Sequence, residues 1–127
     1  MYIEKERELI RKIQTVNAEN YDKWNADIDR LFEHVEAVCY VSNYYYGALE
    51  GHPKFWEKEK RTWKEVSDAG KTAMREINKM CEEYNVPHVF EQKELDAEKR
   101  ALVEICEQYE TESDEESIRM QKEAGYE

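Results

Sequence analysis

The chain is poor in residues that break secondary structure: its 127 residues include only four glycines and two prolines. A sandwich or barrel of many short strands needs frequent turns, so this scarcity excludes such folds and leaves helices as the expectation. Cysteine is also scarce. Cys39, Cys81 and Cys106 form no CxxC pair, and an odd number cannot close a complete set of intramolecular disulfides. They read as reduced thiols acting as small apolar residues, which gives a cytoplasmic expectation. No apolar run is long enough to cross a bilayer, so no membrane association is expected. The opening MYIEKERELIRK alternates charges where a secretory signal would present an apolar stretch. His34, His52 and His88 stand singly, without an HExxH, and the chain has neither a glycine-rich phosphate loop nor a GxSxG. No catalytic residue, metal ligand or cofactor is therefore expected.

What is abundant is charge. The formal net charge is −11, unevenly spread: residues 91–127 hold 13 acids and 5 bases (net −8), and residues 1–90 hold 17 and 14 (net −3). Such a chain repels nucleic-acid backbone and anionic lipid, so nucleic-acid binding is not expected. With 40% apolar residues the chain still has enough to fold, and its length suits one domain over residues 1–127.

Periodicity divides that domain. Ile3, Leu9, Ile10, Ile13 and Val16 share one side of a helix over about 3–16, with a break expected near Asn17 and Asn20. Tyr21, Trp24, Ile28, Leu31, Phe32, Val35, Val38, Cys39, Ser42, Tyr46 and Leu49 sustain a stripe over about 21–50, or about 45 Å of helix. Gly51 suits a left-handed helix end and Pro53 the first turn of a third helix over about 53–84, ended by Asn85-Val86-Pro87. Gly70, Ala73 and Ser42 predict a close crossing of these two helices. A fourth helix covers about 95–110, and Ser113 to Glu116 matches a capping box opening a short C-terminal helix. The fold class is thus all-α: a helical bundle built on a long antiparallel hairpin, flanked by two shorter helices, with 111–127 an acidic, loosely attached segment.

Relative lengths locate the expected site. If short links make the first and fourth helices antiparallel to their neighbours, both lie over the Tyr21/Tyr84 end of the hairpin. The other end, from Ala37 to Trp63, is then bare and aromatic. An exposed patch of that composition marks an interface or a pocket, and the simplest cover is a second copy of the chain. The residues expected to form it are Tyr40, Tyr44, Tyr45, Phe55, Trp56, Glu59 and Trp63. Glu59 is the unusual member, an acid at the centre of the third helix's apolar stripe, where an unpaired carboxylate is costly.

The functional expectation is a protein-protein interaction module that forms a homodimer and has room for a further protein partner. One alternative is an acidic inhibitor that mimics nucleic acid with its C-terminal third. Another rests on Glu33-x-x-Glu36 and Glu65-x-x-Asp68, which resemble acidic pairs of the all-α nucleoside triphosphate pyrophosphohydrolases. The resemblance covers four residues and implies a helical, often dimeric enzyme whose inward-facing acids hold Mg²⁺. Helical projection instead turns Glu33 about 165° and Asp68 about 180° from their apolar stripes.

Overall fold

The helix α2 (Tyr21–Glu50) is the element on which the rest of the bundle packs. In this computed structural model, residues 1–51 and 53–125 are described, with the backbone alone for Pro53, Phe55 and Trp56. The other helices are α1 (Tyr2–Val16), α3 (Pro53–Lys58), α4 (Trp63–Glu83), α5 (Gln92–Leu95) and α6 (Lys99–Glu123), with no strand among the described residues. The fold is an all-α bundle.

Local chemistry sets the ends of α2. The Asn20 side chain accepts from the Lys23 backbone N–H at 3.0 Å, and Gly51 closes the helix at φ 60°, where a side chain would add strain. Leu9 and Ile13 of α1, Leu31, Val38 and Val41 of α2, Val66, Met74 and Ile77 of α4, and Leu102, Cys106 and Tyr109 of α6 are buried together. The predicted close crossing of α2 and α4 is present at Gly70, where a Cβ would stand 2.3 Å from Val41 Cγ2.

At the end where α2 begins, a buried polar network replaces apolar contact. Asp27 accepts from the Tyr84 hydroxyl and from Lys23 Nζ at 2.8 Å, and Asn17 Nδ2 donates to the Tyr84 oxygen at 3.0 Å. Burial disfavours the Asp27 charge, but the Lys23 and Tyr84 hydrogen bonds outweigh it and hold the carboxyl below its ordinary value. The same network pushes the Tyr84 hydroxyl up, through burial first and then its bond to Asp27.

Three expectations are corrected. The helix predicted over 53–84 is two helices, α3 and α4, separated at residues 59–62. In a continuous helix the Arg61 carbonyl would accept from the Glu65 N–H. Here the Tyr44 hydroxyl donates to that carbonyl, and Thr62 Oγ1 accepts the Glu65 N–H at 3.3 Å, so both groups are satisfied by the break.

The helix predicted over 95–110 begins at Lys99 and runs unbroken to Glu123, absorbing the separate C-terminal helix. The Ser113–Glu116 pattern caps nothing because its first turn is already tied to α1: the Tyr2 backbone N–H donates to Glu112 Oε2 at 3.1 Å, and Arg7 pairs with Glu116 at 2.6 Å.

The third correction concerns direction. After α4 the chain runs back along it, with His88 beside Glu82 at 2.9 Å and Phe90 exchanging two backbone hydrogen bonds with the Asn78 side chain at 2.8 and 3.0 Å. The Tyr2 ring lies tilted against Phe90 and stacked on Tyr109, at centroid distances of 5.2 and 5.8 Å, and holds this return. Helix α6 therefore starts near the aromatic end of the hairpin and descends antiparallel to α2. The premise that both flanking helices sit at the opposite end does not hold.

Candidate functional site

The residues expected at the hairpin tip do not form one exposed cluster. Tyr44 is buried, its hydroxyl committed to Arg61 and its ring 6.1 Å from that of Trp63 and 6.2 Å from that of Tyr40. Tyr40, Tyr45 and Trp63 are half-buried. Lys99, at the start of α6, covers part of the cluster, with Nζ 4.9 Å from the Trp63 ring centroid and 5.8 Å from that of Tyr45. That is a cation–π arrangement and a direct contact between α6 and the tip. The side chains of Phe55 and Trp56 lie outside the described residues.

Glu59 is not on a helical stripe. It sits in the link between α3 and α4, half-buried, and its Oε1 accepts from the Arg61 N–H at 3.3 Å. The break takes it off the apolar stripe that made its position look anomalous. What stays open to water at this end is the last part of α2: Leu49 is 64% exposed, and Tyr46 is exposed while donating from its hydroxyl to Glu107.

Glu33, Glu36, Glu65 and Asp68 are all exposed. Among the described residues no group of three or more His, Cys, Asp or Glu side chains is arranged to hold a metal ion, so these four acids do not fit the Mg²⁺-holding cluster that the resemblance implies.

The acid that is out of place is Glu6. Helix α1 turns it inward with Ile3, Leu9 and Ile13, and it is 8% exposed. It makes no hydrogen bond, Oε2 is enclosed without a partner, and burial pushes its carboxyl up to about 7. The neighbouring Arg7 is engaged by Glu116 instead. Glu6 lines an open trough of about 540 Å³ bounded by α1, α2 and α6, whose apolar wall is Ile3, Ile10, Phe32 and Met120. Behind it stand Cys39 and Cys106. Burial, the largest cause, pushes these thiols to about 11 and 12, with Glu110 and Glu6 adding to the effect on Cys39. Glu110 is itself raised, by burial first, against an opposing contact from the Ser42 hydroxyl.

The sequence carries a signal for Glu6. It falls three residues after Ile3 and three and four before Leu9 and Ile10, at the centre of the first helix's stripe. The pattern that singled out Glu59 applies better here, because α1 has no break.

No protein-family model, no curated protein and no solved structure matches the chain.

Proposed function

We propose that this protein is a protein-interaction module that self-associates through the outer end of its α2 hairpin. The observation that supports this reading is the exposure of Leu49, with Tyr46 one turn before it, beyond the part of the tip that Lys99 covers. On a surface otherwise dominated by charge, this end offers apolar and aromatic area next to the half-buried Tyr45 and Trp63. An interface of this kind favours aromatic residues at its centre and charge at its rim. A two-fold pairing uses the same patch on both copies and so needs no second, complementary surface. It also keeps the acidic C-terminal half of α6 of each copy away from the contact.

The test is sedimentation at matched concentrations. Leu49→Glu places a carboxylate in the proposed interface and should convert the assembly to monomer. Val16→Glu alters another well-exposed apolar residue, at the opposite end of the bundle, and should leave the assembly intact. A Leu49→Glu chain that sediments like the wild type would contradict the reading.

A further inference from the structure

An acid with no partner on the buried face of a helix calls for a reason, since a carboxylate out of water loses solvation that nothing here replaces. Glu6 is nine-tenths buried and makes no hydrogen bond or ion pair, and it lines the open trough between α1, α2 and α6. The trough is built for an apolar body. Ile3 and Ile10 stand one turn to either side of Glu6, with Phe32 and Met120 across from them, both exposed.

The surrounding charge selects the sign of the ligand. Arg7, on the rim, is neutralised by Glu116, which also holds Arg119 at 2.6 Å. Arg11 is the remaining cation on α1 that lines the trough. Arg11 is exposed to water, whereas Glu6 is the one acid of the lining that is buried and has no cation beside it. With one inward carboxylate and apolar walls, the site lacks the several oxygen ligands that a hard metal cation requires. A cation carrying its own apolar body meets both halves of the site.

We infer that this trough binds an organic ammonium ion, its charged head paired with Glu6 and its apolar body lying against Ile10, Phe32 and Met120. The volume of about 540 Å³ suits a small molecule. The head supplies the donors that Glu6 lacks, and the Phe32 ring adds a face that attracts cations. This site is separate from the self-association surface at Tyr46 and Leu49.

Binding is also linked to protons. The free carboxyl, raised to about 7, carries a proton through much of the neutral range, and an ammonium ion seated on it displaces that proton. The other charged or titratable groups nearby are Arg7 and Arg11 on α1, Glu36 and Cys39 on α2, and Glu110, Asp114 and Glu116 on α6. Affinity for an amine that stays protonated should therefore rise from pH 6 to pH 8.

The probe is 2-phenylethylammonium, added to the full chain and followed by NMR at pH 8, with 2-phenylethanol as its uncharged counterpart. The expected result is saturable shifts at Ile3, Ile10, Phe32 and Met120, with the alcohol about tenfold weaker or worse, as befits a charge-assisted contact. Glu6→Gln, which keeps the side chain's shape, should weaken the ammonium about tenfold and leave the alcohol unchanged. In the wild type, saturating ammonium should lower the titration midpoint of the Glu6 carboxyl carbon, which is read independently of any variant. Absence of shifts at these residues, equal binding of alcohol and ammonium, or an unmoved Glu6 midpoint would each overturn the inference.

Discussion

Gly70 lies so close to Val41 that a Cβ on it would stand 2.3 Å from Val41 Cγ2. The two residues fix the separation of α2 and α4, the pair that forms the centre of the bundle. Val41 has little freedom to yield, because a β-branched side chain in a helix is confined almost to one rotamer. Gly70→Ala should gain about 1 kcal/mol of helix propensity and lose about 1–3 kcal/mol to overpacking, a net loss in urea unfolding. The double variant Val41→Ala/Gly70→Ala should recover part of that loss, since the two sites touch. Additive losses would mean that the crossing is not set by this contact.

The hydroxyl of Tyr44 holds the break between α3 and α4 by taking the Arg61 carbonyl. Tyr44→Phe should cost about 1 kcal/mol, the usual worth of one hydrogen bond, with the ring packing kept. Amide exchange at Arg61, whose N–H is held by Glu59, should quicken along with it. Unchanged exchange there would show that the break stands without Tyr44.

Glu6 makes stability depend on pH in a direction unusual for an acid. Its folded value of about 7 lies above its ordinary 4.5, so between those two values the folded chain keeps a proton that the unfolded chain has released. Its contribution is present in full below about pH 4.5, falls as pH rises through about 7, and is level above that. The difference between 4.5 and about 7 corresponds to about 3 kcal/mol. Glu6→Gln should therefore gain stability over the wild type as pH rises from 4.5 to 7.5, measured by denaturant unfolding. A difference that does not change with pH would remove Glu6 as its source.

The thiols of half-buried Cys39 and buried Cys106 should be slow nucleophiles. Cys39, raised from 9.0 to about 11, holds about a hundredfold less thiolate at pH 8 than an ordinary cysteine, and Cys106 holds less still. Iodoacetamide should alkylate Cys39 in the folded chain about a hundredfold more slowly than in urea. Labelling at the unfolded rate would contradict the burial assigned to α2 and α6 at this point.

The helices that could be read from the sequence are those whose stripe and ends agree. For α2 the apolar spacing, Asn20 and Gly51 all pointed to 21–50, and the helix is Tyr21–Glu50. The small residue Gly70 likewise announced a close crossing. The failures come from long-range hydrogen bonds that local patterns do not contain. Tyr44 reaches across to Arg61 and breaks a helix that its own residues would continue. Asn78 captures the backbone of Phe90 and turns the chain back, so that α6 starts at the end that lengths alone left bare. At the site, Tyr40, Tyr44, Tyr45 and Trp63 do come together, yet largely inside the fold. Glu59 was singled out on a stripe that is interrupted, whereas Glu6 occupied an intact one.

Self-association through the end of α2 is tested most directly by the mass of the wild-type chain in solution. Light scattering across a dilution series should give twice the 15.3 kDa of one chain at high concentration and fall toward 15.3 kDa on dilution. The dimer mass should persist in high salt, as expected for an apolar contact in which charge has little part. A mass of 15.3 kDa at every concentration would contradict it.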